Sequence, residues 1–201
     1  MDLLDAFGGL IAATSGGPAI YVVVALAAAI DPILPPIPAE TALITAAVLS
    51  SRSGGPLIWL LVPAGALGAV VGDNVVYWLG RSIGERAIRR LAGGPKATER
   101  LRWATEQIRR HGPVMIVVGR YLPGGRTAAT LGAGTLGMPW RRFVLADVVA
   151  GLTWSAYASA LGRVGGAAFE HSTWKAIALA LGLAAALALA LEAWRRLHRR
   201  A

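Results

Sequence analysis

The chain has 201 residues, of which 55% are hydrophobic and 15% charged, and its mean hydropathy is +0.56. A soluble domain carries about a quarter charged residues, so this composition excludes an ordinary water-soluble globule and points to a single-domain membrane protein. The formal net charge of +9 falls in clusters between apolar blocks, the pattern of cytoplasmic loops rather than of a nucleic-acid-binding face.

The chain has no cysteine, which excludes disulfides, iron–sulfur clusters and thiolate zinc sites. His111, His171 and His198 are scattered beside charged or loop residues and read as solvated surface groups. No metal and no cofactor is expected. The amino terminus, MDLLD, lacks the basic n-region of a cleaved signal. Residues 1–17 read as an N-terminal interfacial segment.

The first apolar block runs from Pro18 to Ser51 and breaks at its centre. Asp31 to Glu40 holds Pro32, Pro35, Pro36 and Pro38 between two acids. Proline removes a backbone donor and interrupts a helix. Arms of about 13 and 11 residues rise roughly 16–20 Å, too short for a ~30 Å hydrocarbon core. The block over 18–51 therefore predicts a re-entrant hairpin.

A spanning helix follows over 53–80, uncharged from Ser53 to Gly72 and then carrying Asp73. Gly68 and Gly72 in this helix permit close packing. Asp73 reads as a buried group, either a gate or a structural latch. The stretch 84–111 is basic; Ala97, Leu101, Ala104 and Ile108 recur at helical spacing. It predicts an amphipathic helix on the cytoplasmic membrane surface or an ordinary solvated one, with Gly94-Pro95 as its start.

The second broken block spans 113–139. Its break is Pro123-Gly124-Gly125, with Arg120 and Arg126 on either side. A second spanning helix follows over 141–163, interrupted by Asp147. A third candidate, Ala176 to Leu191, is bracketed by Trp174 and Trp194 as interfacial anchors, and lies within a C-terminal helix and basic tail over 172–201.

The two halves show a weak internal similarity. PAETALITAA from Pro38 aligns with GGRTAATLGA from Gly124, and each block precedes a helix with one aspartate and a later Leu-Gly-Arg (Leu79–Arg81, Leu161–Arg163). Placing the basic loops and tail in the cytoplasm makes the two hairpins enter from opposite faces. The expected fold is thus all-α: an inverted-repeat core over 18–166, with two facing re-entrant hairpins, about three spanning helices and a cytoplasmic amphipathic helix. The expected location is a bacterial-type inner membrane, multi-pass, with a cytoplasmic C-terminus.

Irregular backbone at membrane depth must be buried in protein or line a wet cavity, and charges there cost about 2.5–3.5 kcal/mol each on insertion scales. Asp31, Glu40, Arg120 and Arg126 flank the two breaks. One reading makes them ion pairs that hold the hairpins together. The other makes them a site: Arg120 and Arg126 bind an anionic head group through their planar donors, and Asp31 and Glu40 exchange protons. Asp73 and Asp147 support it.

The motifs D-P-x-x-P-x-x-P-x-E (Asp31–Glu40), G-D-x-x-x-Y-x-x-G-R (Gly72–Arg81), G-R-Y-x-P-x-x-R-T (Gly119–Thr127) and A-G-x-x-x-M (Ala133–Met138) resemble the DedA family, also called the VTT or SNARE-associated type. The resemblance covers roughly Pro18 to Gly166. It implies facing re-entrant hairpins, a functional set at Asp31, Glu40, Arg120 and Arg126, and proton-dependent translocation of lipids. In bacteria the lipid is notably the undecaprenyl-phosphate carrier; eukaryotic relatives act as phospholipid scramblases. Two departures stand out: aspartate rather than glutamate at position 31, and Gly124-Gly125 where bulkier residues are common.

The expected partners are a membrane lipid, a polyprenyl phosphate or phospholipid, together with protons; nucleic acid is not expected, and a homo-oligomer is open. Proton-coupled movement of a small solute or ion, or passive scrambling, would use the same residues. A lipid phosphatase would need a nucleophile or base beside the arginines, and neither hairpin holds a histidine, so the chain is not expected to be an enzyme. A purely structural assembly role is the remaining alternative.

Overall fold

A computed structural model describes residues 9, 13–14, 16–34, 39–51, 54–92, 95–122 and 124–168, with backbone alone over 85–92, 95–98, 100–102 and 166–168. Pro35, Pro36, Pro38, Pro123, His171, His198, most of the 1–17 segment and the C-terminal helix expected within 172–201 lie outside the described residues. Among the described residues are six helices and no strand: α1 Ala19–Ile30, α2 Ala39–Leu49, α3 Ile58–Ala92, α4 Pro95–Gly119, α5 Gly125–Thr135 and α6 Trp140–Ala168.

The arms α1 and α2 have 12 and 11 residues. Asp31 still donates its N–H to the Ala27 carbonyl at 3.1 Å, but Pro32 has no N–H with which to continue the ladder. Helix α3 is apolar from Ile58 to Gly84, and α6 from Trp140 to Gly165. At 1.5 Å per residue each apolar span approaches ~40 Å, long enough to cross hydrocarbon. The backbone leaves helical geometry at Gly84, with φ 68° and ψ 159°, a conformation that glycine adopts without steric cost. The basic stretch begins there.

One boundary differs from expectation. The basic segment 84–111 and the first arm of the second hairpin are not separate, because α4 continues through Pro113 to Gly119. Proline here removes a single bond, to the Arg109 carbonyl. Arg109, Arg110 and His111 are exposed on that turn, so water can take up the freed acceptor. On this helix Trp103 is 67% exposed and Ile108 buried, while Gly94 of the expected start signal lies outside the described residues.

Packing is crossed between the halves. Helix α1 packs on α3 and α4 on α6, each first arm on its own long helix; α2 packs on α6 and α5 on α3, each second arm on the long helix of the other half. Small residues allow the backbones to touch. A Cβ at Gly134 of α5 would sit 2.0 Å from the Tyr77 carbonyl oxygen of α3, and one at Gly162 of α6 would sit 2.6 Å from that of Ile44 in α2. The two Leu-Gly-Arg sequences fall at these crossings. Arg81 Nη1 donates to the Met138 carbonyl at 3.3 Å, just beyond α5, where Tyr77 Oη also donates at 2.6 Å. Arg163 Nη1 donates to the Ser50 carbonyl at 3.3 Å, just beyond α2. Arg163 thus caps the C-terminal end of α2, and Arg81 holds the loop that follows α5.

Two apolar clusters result. Ile20, Val24, Leu43, Ile44, Leu61 and Trp154 centre one, and Tyr77, Ile108, Ile116 and Phe143 the other, with Tyr77 stacked on Phe143 at 4.5 Å between ring centroids. The outer faces are apolar as well. Only 39% of the apolar window of α3 and 44% of that of α6 is buried, and Trp59, Leu67, Leu145 and Val164 are each more than 60% exposed. Patches of this extent do not face water on a soluble monomer; they suit lipid.

Candidate functional site

The site lies where the two apolar clusters meet. On α3, Asp73 falls one turn after Ala69 of the first cluster and one turn before Tyr77 of the second. Asp147 enters from α6, Asp31 from the end of α1, Arg120 from the turn after α4, and Arg126 from the first turn of α5. Gly124 opens that last helix at φ 68°, and the tight turn brings both arginines back to the same place.

These five side chains form one chain of ion pairs. Arg126 Nη1 donates to Asp31 Oδ2 at 2.7 Å, and its Nε to Asp73 Oδ1 at 2.9 Å and Oδ2 at 3.1 Å. Arg120 Nη1 donates to Asp73 Oδ2 at 2.7 Å and Asp147 Oδ1 at 3.3 Å. Burial falls from one end to the other: the side chains of Asp73 and Asp147 are 1% exposed and Arg120 3%, whereas Arg126 is 14% and Asp31 28%. The network is closed at its Asp147 end and more open at Asp31, at the end of α1.

The arginine donors are not all used. Nε and Nη2 of Arg120 and Nη2 of Arg126 are buried without a hydrogen-bond partner, as is Oδ2 of Asp147. Arg120 also lies over the Trp154 ring, 5.1 Å from its centroid, a cation–π contact that holds the guanidinium in place. An unused buried guanidinium donor is costly in apolar surroundings. Here several converge, and three carboxylates already compete for the two guanidiniums.

Asp31, Arg120 and Arg126, which sequence placed at the breaks, meet in one network. Glu40 does not join it: no described arginine bonds it, and it is exposed at the start of α2, with Asp31 as its charged neighbour. Asp73 and Asp147, read from sequence as supporting residues, lie at the centre, Asp73 bridging both arginines. Sequence reading missed Trp154, and also Ser155 and Ser159, whose buried hydroxyls have no partner. A signal was present: Asp147, Gly151, Ser155 and Ser159 repeat every four residues along an otherwise apolar span, marking one polar face of α6. At the hairpin tip Tyr121 Oη donates to Thr153 Oγ1 at 2.9 Å, tying the second break to the same helix.

Among the described residues no group of His, Cys, Asp and Glu side chains could hold a metal ion. Helices with lipid-suited outer faces around a buried arginine–carboxylate network define the class: a helical membrane protein with charge at its centre.

Comparison with known sequences specifies the family. The VTT domain profile matches residues 37–164. The chain is 34% identical over 156 residues to uncharacterized membrane protein Rv2637 of Mycobacterium tuberculosis, covering 76% of this chain and 72% of that one. It is 29% identical over 150 residues to a second M. tuberculosis membrane protein, Rv0364, covering 72% and 65%. It is also 30% identical over 112 residues to inner membrane protein YohD of Escherichia coli, covering 55% of each. No solved structure matches the chain. The chain belongs to the VTT-domain, or DedA, family of membrane proteins.

Proposed function

We propose that this protein moves a lipid bearing a phosphate head group across the membrane, with Arg120 and Arg126 as the anion site and Asp31 and Glu40 as proton-exchanging groups. The candidate lipids are undecaprenyl phosphate and related phospholipids. The observation that carries the reading is the set of unpartnered arginine donors inside a buried network that opens at the hairpin tip. Family membership supports it.

The chemistry follows from competition. While Asp31 is ionised it occupies Arg126 Nη1. Protonation removes its claim, and a phosphate oxygen can take the vacated donor together with Nη2 of both arginines. Deprotonation restores the internal pair and expels the head group. Glu40, beside Asp31 and unbound by arginine, is placed to pass the proton between the tip and the network. No bond is made or broken, so the reading needs neither nucleophile nor cofactor. Arms too short to span form re-entrant hairpins from opposite faces, in a multi-pass inner-membrane protein with a cytoplasmic C-terminus. The acyl chains stay in lipid while the phosphate crosses on the arginines.

The test is reconstitution of the full chain in vesicles, with transbilayer movement of undecaprenyl phosphate, phosphatidylglycerol and phosphatidylcholine followed in parallel. The expected result is movement of the lipid phosphate, lost in Arg126→Ala. Transport of a soluble anion with no lipid movement would replace this reading with a small-solute transporter. Indifference to both the head group and the imposed proton gradient would make the protein a passive scramblase.

A further inference from the structure

A second cationic feature lies apart from the central network. Thr105, Ile108, Arg109 and Pro113 of α4, the loop Leu136–Pro139 and Arg142 of α6 enclose an open cavity of about 260 Å³. Ile108 and Met138 at its floor are buried. Met138 is fixed through its carbonyl, which accepts from Tyr77 Oη and Arg81 Nη1. Gly112 brings α4 against it, since a Cβ there would lie 3.0 Å from Met138 Sδ. The cavity is therefore a fixed cleft with apolar walls.

Its rim is basic. Arg109 is bonded to Glu106, which also accepts from Arg110. Arg141 and Arg142 are exposed at the start of α6. Arg109 and Arg142 line the cavity, with Arg110 and Arg141 next to them in sequence, and Glu106 is paired with Arg109 and Arg110 alone. Two exposed tryptophans mark the level of this rim: Trp103 on α4, and Trp140, which donates Nε1 to Asn74 Oδ1 at 2.8 Å. Tryptophan favours the boundary between hydrocarbon and head groups. Arg142 opens the apolar span Trp140–Gly165, which puts its guanidinium at head-group depth.

We propose that this cleft binds an anionic phospholipid, with its phosphate between Arg109 and Arg142 and the upper part of one acyl chain against Ile108, Pro113, Leu136 and Met138. Charge complementarity selects the head group, because the excess of arginine draws an anion. The walls select a lipid over free phosphate, because only an amphiphile satisfies a basic rim and an apolar floor together. The volume lies just under the roughly 300–1,000 Å³ that encloses a whole drug-sized molecule, and so accommodates a segment of a lipid whose remainder stays in the bilayer. The central network contributes nothing to this site, and the proposal stands independently of what that network carries.

The experiment is native mass spectrometry of the full detergent-purified chain titrated with phosphatidylglycerol, phosphatidylcholine or inorganic phosphate. Phosphatidylglycerol should bind on the order of 30-fold tighter than phosphatidylcholine, since two surface arginines each contribute several-fold. The Arg109→Gln/Arg142→Gln variant should lose that preference, the Arg109→Lys/Arg142→Lys variant should keep most of it, and Arg163→Gln, an exposed arginine at the other end of α6, should leave it unchanged. Millimolar phosphate should not displace the lipid. Equal binding of the two lipids by the unaltered chain overturns the proposal without any variant. So does a preference that survives the double glutamine change, that vanishes in Arg163→Gln, or that phosphate competes away.

Discussion

Arg126 Nη1 lies 2.7 Å from Asp31 Oδ2 across 95 residues of sequence, and this contact joins the two broken helices at their tips. It is also the most open pair of the network, with 14% and 28% of the two side chains exposed. The deeper pairs, on Asp73 and Asp147, are sealed. A sealed anchor and a more open end, the one proposed to exchange its charge, thus coexist in one chain of charges.

The anchor can be tested by stability. Asp73 holds both arginines, so Asp73→Ala leaves two buried cations short of a partner. Breaking such a pair from one side costs about 3–5 kcal/mol. Asp147 accepts only one bond, at 3.3 Å, and Asp147→Ala should cost less. Unfolding of purified protein by SDS titration would measure both, and equal losses would mean that Asp73 is not the hub.

The exchangeable end can be tested by transport. Arg126→Ala and Glu40→Ala should insert and fold, because Arg120 still pairs with Asp73 in the first and no described arginine depends on Glu40 in the second, yet move no lipid. Glu40→Gln should leave stability unchanged, since no arginine depends on Glu40, and should flatten the dependence of lipid movement on pH. If both alanine variants fully rescue transport-deficient cells, the site is wrongly assigned. A pH profile in proteoliposomes that Glu40→Gln leaves intact removes that residue from the proton path.

The crossed packing makes a local prediction two residues apart on α5. Gly134→Ala forces a Cβ to 2.0 Å from the Tyr77 carbonyl, whereas at Gly132 the nearest atom is Ile108 Cδ1 at 3.6 Å. Alanine at 134 should destabilise by about 1–3 kcal/mol or more. Alanine at 132 should be neutral or stabilise by about 0.5–1 kcal/mol, because it replaces a glycine inside a helix. The same SDS titration ranks them; tolerance at 134 would show that α5 does not dock on α3 there.

On the exposed surface of α4, hydrogen bonds from Arg109 and then Arg110 hold the Glu106 carboxyl down at about 2. A lowered acid contributes stability above its unfolded value, and that contribution is lost only as pH falls through the folded one. Carbon-13 detection of this carboxyl should show a midpoint near 2, moving up with added salt as the exposed pairs are screened. A midpoint in the ordinary glutamate range at low salt would mean that the pairs do not form.

Much was legible from residue order. Proline density between Asp31 and Glu40 and the Pro-Gly-Gly beyond Tyr121 marked the breaks; apolar runs marked α3 and α6; charges beside the breaks marked Asp31, Arg120 and Arg126, three members of the buried network. All are local, since helix continuity and burial depend on neighbours within a turn or two. The continuation of α4 through Pro113 was less legible, because a helix tolerates a proline where its freed carbonyl can reach water.

Composition, helix breaks and the placement of charge beside them follow from the amino-acid order alone, because each rests on short-range chemistry. Which helix meets which was decided in three dimensions. No local pattern states that α2 docks on α6 and α5 on α3, that Asp73 bridges both arginines, or that Glu40 stands apart from them. Those relationships link groups from 47 residues apart, as in Asp73 and Arg120, to 113, as in Ser50 and Arg163, and they exist because small residues let the backbones close until the buried charges met.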